Sequence, residues 1–372
     1  MTHIYLCAGE TSGDMHGANL VRALREADPA VECAGLGGHL MAEAGMRLDF
    51  DLAGRAIMGF AEVVRHLGFI RTLFNETVAR LERERPDCLV VVDYPGFNMR
   101  LAREAKRLAI PVVWYISPQV WAWKKGRVKT IAETVRKMLV ILPFEEEIYR
   151  RVGLDCEYVG HPLVDHLASM TLTGQYREGL TIGLLPGSRE QEIGRILGVM
   201  IDVARGIRDR HPNARFVVPC VSAEREAQVR AMAGDFPLET IVGKSYEVLN
   251  GARFCLVASG TATLEAALFG VPMIVLYKVA PVTYALARLL VHVEHIGLVN
   301  ILAGKRIVPE FIQGAATVET ILPEALALIE EGPRRNQMID DLDKVRERIG
   351  GPGASKRAAQ AVLSVVQGVS RA

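Results

Sequence analysis

The sequence predicts an α/β protein in which helices cover both faces of parallel β-sheets. Short apolar runs of strand length alternate with helical patterns along most of the chain. The runs are continuous stretches of Val, Ile and Leu, which is typical of strands that are buried on both faces of a parallel sheet. The helical segments between them provide the crossovers that parallel strands require. Together these observations predict a doubly wound fold.

The strand candidates follow one another in two groups. In the first half of the chain they are IYLCA, DCLVVVDYP, IPVVWYIS, MLVILPF and CEYVG. In the second half they are TIGLLPG, ARFVVPC, ETIVG, RFCLVAS and VPMIVLY. Helical patterns between them include residues 15–27, 97–109, 190–210 and 261–269. We therefore expect each half to form its own parallel sheet.

A chain of 372 residues is long enough for two domains, each with its own core. The polar stretch at residues 160–180 lacks strong periodicity and separates the two groups of strands. We expect two Rossmann-like domains that face each other across a cleft, formed by residues 1–165 and residues 166–345. The last segment, residues 346–372, is expected to form a helix that packs back toward the first domain.

The composition restricts the class of protein. Half of the residues are hydrophobic and the net charge is +1, which argues for a well-packed globular protein and against a dedicated nucleic-acid binder. The six cysteines form no CxxC pair and most lie in apolar runs, as buried thiols in a reducing compartment do. The N-terminus has no signal-peptide pattern, and no apolar run reaches about 18–20 residues. These features predict a cytosolic protein and leave contact with a membrane surface open.

The first strand leads into a glycine-bearing loop, CAGETSGD (residues 7–14), and then into a helix. This layout is typical of a phosphate-binding loop, but its glycines match neither GxGxxG nor GxxxxGK[ST]. Two acidic residues, Glu10 and Asp14, stand where a phosphate would be repelled. We therefore do not expect this loop to hold a nucleotide.

The second half contains a better candidate for an anion site in the segment LLPGSR. A strand ends there in a tight turn, Gly187, Ser188 and Arg189, and a helix follows. Ser188 suits an N-cap, the free N–H groups of the helix can receive phosphate, and Arg189 adds a planar fork of donors. An ordinary βα turn with a solvated arginine is the alternative.

The segment SGTATLE provides a second candidate. A strand ends at Ser259 and Gly260, and small hydroxyl residues, Thr261 and Thr263, open the next helix. Glu265 could accept hydrogen bonds from both hydroxyls of a ribose. A capped helix with an acid that complements its dipole explains the residue types equally well. It does not explain two such turns in one half, so we predict nucleotide binding there.

Three polar side chains follow strands of the first half. Glu10 follows the first strand, Asp93 ends CLVVVD, and Gln119 lies just beyond VVWYIS. The functional crevice of an open α/β sheet lies outside the carboxyl ends of its strands, so these groups are expected to converge. Helix caps and turn residues are the alternative for each of them, above all for Asp93 because Pro95 follows.

Residues 57–74, IMGFAEVVRHLGFIRTLF, carry more apolar groups than one helix face needs. A stripe from Phe60 to Phe74 has the spacing of a core face, and Phe69 and Leu73 fall on roughly the opposite side. We predict an apolar patch that dips into an anionic membrane surface, formed by Ile57, Met58, Phe69 and Leu73. A helix packed on two sides, or a dimer contact, is the alternative.

The chain resembles the lipid-A-disaccharide synthase family, which consists of glycosyltransferases with the two-domain GT-B architecture. The matching motifs lie in the family's order and cover nearly the whole chain: AGETSGD (8–14), VDYPGFN (92–98), SPQVWAW (117–123), LPFE (142–145), GHPLVD (160–165), LLPGSR (184–189), SGTATLE (259–265) and NILAG (300–304). SGTATLE alone would fit several GT-B families, whereas SPQVWAW beside VDYPGFN is far more specific.

The resemblance implies an inverting glycosyltransferase that joins UDP-2,3-diacylglucosamine to 2,3-diacylglucosamine 1-phosphate and releases UDP. It implies that UDP binds the C-terminal domain, with Arg189 at the diphosphate, Glu265 at the ribose, and Asn300 near the donor. It points to Asp93 as the general base, with Glu10 second. The residues expected on the acceptor side are Ser12, Asn98, Gln119 and Trp121.

No His/Cys ligand set stands out, so we expect no metal cofactor. The positive ends of helices and Arg189 would neutralise the diphosphate instead. The resemblance implies acylated glucosamine substrates, UDP and a peripheral position at the inner face of the cytoplasmic membrane. The sequence is also compatible with a homodimer.

Other functions fit parts of the pattern. A UDP-sugar 2-epimerase or a polyprenyl-linked N-acetylglucosaminyl transferase would keep the fold, but SPQVWAW and VDYPGFN argue against both. A non-catalytic nucleotide-sugar sensor or a membrane-docked scaffold is the alternative from a different class.

Overall fold

The computed structural model of the protein describes residues 2–54, 67–122, 126–281, 283–285 and 294–369. The chain divides into two compact units: Met1–Ala168 together with Gly351–Ala372, and Ser169–Gly350. Each unit contains one parallel β-sheet with helices between its strands. The predicted fold class, two doubly wound parallel-sheet domains, is confirmed.

The first unit is built on a seven-stranded sheet of order β3-β2-β1-β4-β5-β6-β7. Its strands are β1 (His3–Ala8), β2 (Glu32–Gly37), β3 (Arg47–Asp51), β4 (Cys88–Val92), β5 (Val112–Tyr115), β6 (Lys137–Val140) and β7 (Cys156–Tyr158). Its described helices are α1 (Thr11–Ala27), α2 (His39–Glu43), α3 (Leu67–Glu84), α4 (Pro95–Arg107), α5 (Arg127–Thr134), α6 (Glu145–Arg150) and α7 (Pro162–Ala168). The strand order reverses between β1 and β4, which makes their carboxyl ends the topological switch point.

The second unit is built on a six-stranded sheet of order β10-β9-β8-β11-β12-β13. Its strands are β8 (Thr181–Leu185), β9 (Arg215–Cys220), β10 (Glu239–Val242), β11 (Phe254–Ala258), β12 (Met273–Tyr277) and β13 (Glu310–Ile312). Its described helices are α8 (Glu190–Arg210), α9 (Ala223–Ala233), α10 (Ser245–Gly251), α11 (Thr261–Leu268), α12 (Leu298–Ala303), α13 (Val318–Ile329) and α14 (Pro333–Ile349). Here the switch point lies between β8 and β11.

The central strands of the first unit are buried on both faces. In β1, Ile4 and Leu6 face one hydrophobic cluster, whereas Tyr5 and Cys7 face a second cluster across the sheet. This two-sided burial is why the strand reads as a continuous apolar run. The first cluster is completed by the last helix, α15 (Ala354–Val369), which packs against α1. The C-terminal helix therefore folds back onto the first unit.

Asp165, the acid of the GHPLVD motif, holds this last helix in place. Its carboxylate accepts hydrogen bonds from the backbone N–H groups of Ala354 at 3.1 Å and Ser355 at 2.9 Å, and also from that of Gly353. These N–H groups open α15 and have no partners within the helix. An acid at a helix N-terminus also complements the helix dipole. The acid of the motif is thus explained by the attachment of α15.

Three strands, β2, β3 and β13, were not predicted from the sequence. β2 has the sequence ECAGLG, in which two glycines interrupt the apolar run that would indicate a strand. Gly35 has φ +147°, and a Cβ there would lie 1.9 Å from the carbonyl oxygen of Leu6. Only glycine lets β2 approach β1 so closely. β3 and β13 lie at sheet edges; β3, RLDFD, alternates polar and apolar residues, and β13 has only three residues, so neither is a continuous apolar run.

The structure corrects the predicted membrane patch. Leu73 is only 5% exposed and belongs to the hydrophobic core. Phe69 is half-buried and packs against Phe50, with ring centroids 5.4 Å apart. The inward face of α3 contains Ile70 and Phe74, as the core stripe predicted, and also Leu73 and Phe69, so it is wider than predicted. Ile57 and Met58 lie outside the described residues.

Over the described part of the chain, no helix is both long and apolar enough to cross a bilayer.

Candidate active site

A pocket of about 420 Å³ opens at the switch point of the second unit. The turn after β8 and the turn after β11 form two of its walls, because the carboxyl ends of these paired strands meet there. It is lined by Leu185, Gly187, Ser188, Arg189, Glu192, Pro219, Val221, Ser245, Ala258, Ser259, Gly260, Thr261, Ala262 and Glu265. A pocket of this size can hold a small ligand. It brings together most of the residues that were predicted to bind a nucleotide.

The turn between β8 and α8 puts a cation and free N–H groups into this pocket. Gly187 has φ +102°, a conformation that favours glycine. The N-cap of α8 is Arg189, not Ser188 as the sequence suggested, and the Glu192 side chain accepts a hydrogen bond from the backbone N–H of Arg189. The guanidinium of Arg189 is 72% exposed, and its Nη1 lies 2.8 Å from Oε1 of Glu192. Ser188 is exposed beside it.

The turn between β11 and α11 forms the facing wall. Gly260 and Thr261 are exposed at the start of α11, where the first N–H groups have no partners within the helix. The hydroxyl of Ser259 donates to the carbonyl oxygen of Ile296 at 2.9 Å, so its lone pairs are what it offers to a ligand. The wall can therefore receive an anion through backbone N–H groups.

Glu265 lies one turn into α11 and lines the same pocket. The hydroxyl of Tyr246 donates to its Oε1 at 3.1 Å, and the Tyr246 ring stacks on Phe269. Burial raises the pKa of Glu265, against the effect of the Tyr246 hydrogen bond. A carboxyl held in this way can accept hydrogen bonds from two neighbouring hydroxyl groups of a ligand.

Two of the predicted donor-binding residues have structural roles instead. Thr263 is buried, and its hydroxyl donates to the carbonyl oxygen of Gly260 at 2.9 Å, which closes the first turn of α11. Asn300 is 0% exposed. Its Oδ1 accepts from the N–H groups of Ile307 and Val308, and its Nδ2 donates to Glu310. Neither side chain reaches the pocket.

In the first unit, Glu10 follows β1 and Asp93 follows β4, so both stand at the switch point. Asp93 has φ +45° and the next residue, Tyr94, has φ +48°. Two consecutive non-glycine residues in the left-handed region are strained by about 1–3 kcal/mol each. Burial, and then the negative charge of Glu10, raise the pKa of Asp93 to about 6. The side chain of Glu10 makes no capping hydrogen bond with α1.

The surroundings of Asp93 hold it in this conformation. Asn98 is 0% exposed, and its Nδ2 lies 2.8 Å from the carbonyl oxygen of Asp93 and 3.3 Å from that of Cys7. It therefore joins the ends of β1 and β4. The prediction that Asn98 faces the acceptor side is wrong. The ring of Tyr94 lies over Gly9, where a Cβ would come within 2.2 Å of it.

Asp14, the other acid of the glycine-bearing loop, is also structural. Its carboxylate accepts from the backbone N–H groups of Gly38 at 2.8 Å, Met41 at 3.1 Å and Leu40 at 3.1 Å. It thereby caps the start of α2. Of the two acids, only Glu10 remains available at the switch point.

The remaining residues predicted on the acceptor side lie on the surface of the first unit. Ser12 and Gln119 are exposed. Trp121 is half-buried, its Nε1 donates to Oε1 of Glu145 at 3.2 Å, and its ring meets Phe144 edge-on. Burial raises the pKa of Glu145 to about 8, against the effect of the hydrogen bond from Trp121. Glu145 thus positions Trp121.

The raised pKa of Asp93 leads us to expect a pH dependence of kcat/KM. If its carboxylate takes a proton during turnover, kcat/KM falls as the pH drops through about 6, because the protonated form cannot act as a base. Glu10→Gln removes the negative charge that helps to raise this pKa. We expect it to move the acid limb of the pH–rate profile to lower pH. An acid limb that stays in place or moves to higher pH in this variant would contradict the assignment.

Sequence reasoning missed several residues of the two sites. Glu192 stands three residues after Arg189, the spacing of a capping box, and this spacing could have revealed it once Arg189 was taken as the N-cap. Val221 follows β9, the neighbour of β8 in the sheet, and Ser245 opens α10 after β10, so finding them requires the strand order. Tyr246 carried no signal, and Glu145 was part of the LPFE motif without an assigned role, since each acts through a neighbour that is distant in sequence.

The chain is similar in sequence to known proteins. The sequence profile of the family described as lipid-A-disaccharide synthetase matches residues 4–365. The lipid-A-disaccharide synthase of Syntrophus aciditrophicus is 41% identical over 374 residues, which cover 98% of each chain.

Two solved structures have a similar fold. The S. aureus MnaA–UDP co-structure has a TM-score of 0.67 at 14% identity, and the alignment covers 99% of this chain and 97% of that one. The glycosyltransferase of kitacinnamycin has a TM-score of 0.68 at 14% identity, with 98% of each chain covered. At this identity the two structures show the fold alone.

Proposed function

The chain belongs to the lipid-A-disaccharide synthase family, and from this we propose how its two sites share the work of the reaction. It is a glycosyltransferase of lipid A biosynthesis. It condenses UDP-2,3-diacylglucosamine with 2,3-diacylglucosamine 1-phosphate and gives lipid A disaccharide 1-phosphate and UDP. In our proposal the second unit binds the UDP of the donor, and the first unit supplies the general base.

UDP of the donor binds the pocket of the second unit. The observation that carries this assignment is the pairing of two helix N-termini at the switch point between β8 and β11, with Arg189 beside them. Partial positive charge at both helix starts and a planar cation suit a diphosphate. Glu265 is placed to accept hydrogen bonds from the ribose hydroxyls.

Asp93 acts as the general base. The acceptor's 6-hydroxyl loses its proton to the Asp93 carboxylate as its oxygen bonds to the anomeric carbon of the donor. The bond from that carbon to the diphosphate breaks at the same time, and UDP leaves with the electron pair. This single displacement inverts the anomeric configuration and needs no covalent intermediate. A carboxyl with a pKa near 6 is well matched to a base at neutral pH.

Charge on the leaving diphosphate is stabilised by Arg189 and by the backbone N–H groups at the starts of α8 and α11. We therefore expect the reaction to proceed without a metal ion. Turnover measured after exhaustive treatment with a chelator checks this, and the expected rate equals that of the untreated enzyme. Activity that is lost with the chelator and restored by Mg²⁺ would contradict it.

The experiment that tests the whole assignment is direct. The protein is incubated with UDP-2,3-diacylglucosamine and 2,3-diacylglucosamine 1-phosphate in detergent micelles, and the products are identified by mass spectrometry. We expect the disaccharide 1-phosphate and one equivalent of UDP. UDP released without disaccharide would mean that the donor is hydrolysed and not transferred, and no product at all would refute the reaction.

Membrane association is expected from the chemistry of the substrates, whose acyl chains partition into a bilayer. We propose that the protein binds peripherally to the inner face of the cytoplasmic membrane, with Ile57 and Met58 as the remaining patch residues. Co-sedimentation with vesicles that contain anionic lipid tests this, and recovery only in the supernatant would contradict it. The homodimer stays a prediction that sedimentation equilibrium can test.

A further inference from the structure

We propose that the carboxylate of Glu192 and a phosphate of UDP compete for one position at the start of α8, and that UDP binds by displacing the carboxylate. This inference rests on the proposed binding of UDP in the second unit. Glu192 would then be a residue that sets the affinity for UDP, and its return to this position would favour product release.

The contacts of Glu192 are those that a phosphate would make. Its Oε1 lies 2.8 Å from Nη1 of Arg189, and its Oε2 accepts from the backbone N–H of Arg189 at 3.3 Å. A guanidinium and a free N–H group at a helix N-terminus are the usual partners of a bound phosphate. The carboxylate thus satisfies the donors that are assigned to the diphosphate.

The Glu192 carboxylate also lies where a phosphate on this turn would lie. A Cβ built on Gly187 would lie 2.5 Å from Oε2 of Glu192, so the acid lies directly against the turn between β8 and α8. Glu192 also lines the pocket itself. A diphosphate seated on this turn and the Glu192 carboxylate would compete for one small volume.

Electrostatics decides which anion moves. The side chains of Arg189 and Glu192 are 72% and 35% exposed, and an ion pair as exposed as this contributes little to stability. A carboxylate kept beside a diphosphate would instead be a like-charge contact in a site that ligand binding desolvates. Moving Glu192 aside costs less than keeping it, so its charge lowers the affinity for UDP.

Glu192→Gln tests this inference. The amide oxygen can still cap the N–H of Arg189, since glutamine serves in a capping box as glutamate does. Only the charge is removed. We expect the dissociation constant for UDP, measured by isothermal titration calorimetry, to fall about three- to tenfold. The inhibition constant of UDP as a product should fall in parallel.

Glu190→Gln is the matched control. Glu190 is an acid in the same first turn of α8. Its carboxylate lies 3.5 Å from Nη1 of Arg225 and, among the described residues, forms no ion pair with the Arg189 guanidinium. The control loses the same charge and should change the UDP dissociation constant less than about twofold. Equal tightening in both variants would show a general effect of net charge and would overturn the inference.

The other outcomes separate this inference from the proposed function. If the wild-type protein does not bind UDP, the proposed function fails at its first step. If the wild type binds UDP and Glu192→Gln binds it equally or more weakly, Glu192 only orients Arg189, and the inference is overturned. Glu192→Ala, which removes both the charge and the cap, should also bind UDP more tightly than the wild type.

Discussion

Asp93→Asn is expected to lower kcat by about 10²–10⁴-fold and to leave the affinity for UDP unchanged. The amide has the same size as the carboxyl but cannot accept a proton at neutral pH. UDP is assigned to the second unit, so its binding does not depend on this residue. Steady-state kinetics gives the loss of turnover, and calorimetry with UDP shows whether binding persists. A sensor that binds nucleotide sugar without chemistry would show no turnover with or without the substitution, and its UDP affinity would be unchanged.

The same strand offers a matched control. Asp87 precedes β4 at the opposite end of the sheet and accepts a hydrogen bond from the backbone N–H of His3 at 2.8 Å. Asp87→Asn makes the same chemical change far from the switch point and should keep at least half of the wild-type turnover. If Asp93→Asn retains turnover and Glu10→Gln loses it, then Glu10 is the base.

Strain at Asp93 gives this position a second significance. Left-handed conformations at both Asp93 and Tyr94 persist only when the surrounding structure enforces them, and such residues cluster at functional sites. Asn98 enforces this one through the Asp93 carbonyl, and Gly9 leaves space for the Tyr94 ring. The glycine-bearing loop at residues 7–14 thus allows the turn at Asp93 and Tyr94 to pack closely against the end of β1.

The position of both sites could be predicted from the sequence for a simple reason. Strands that read as buried and parallel must end at one edge of their sheet, so polar residues that follow them converge there. This reasoning placed Asp93 and Glu10 at the switch point of the first unit, and Arg189 and Glu265 at that of the second, where the structure has them. The strand order, which places the switch point, is a tertiary property that single segments do not encode.

The role of individual polar residues could not be predicted in the same way. Asn98 and Thr263 stand in the first turn of a helix at a switch point, where a ligand contact and a structural bond need the same residue types. Only the carbonyl groups around them decide the outcome, and those belong to other segments. Leu73 was misassigned for a related reason, because helix periodicity locates a buried stripe but not how far the buried face extends around the helix.

Asn300→Ala is expected to destabilise the second unit by about 3–5 kcal/mol. The side chain is fully buried and bonds on both its oxygen and its nitrogen. Alanine would leave the N–H groups of Ile307 and Val308 buried without a partner. It would also remove the donor that faces Glu310 at 2.8 Å. Denaturant unfolding, followed by a probe in the second unit, measures the change.

Asn336→Ala is the control for this variant, since Asn336 is an exposed asparagine of α14 in the same unit. We expect its unfolding free energy to stay within about 0.5 kcal/mol of the wild type. UDP affinity separates the two possible roles of Asn300. If the Asn300→Ala variant is as stable as the wild type but has lost UDP affinity, Asn300 contacts the donor. If instead it binds UDP normally while still folded and unfolds at lower denaturant, the resemblance of NILAG to a donor-binding segment reflects a shared scaffold for the pocket and not a ligand contact.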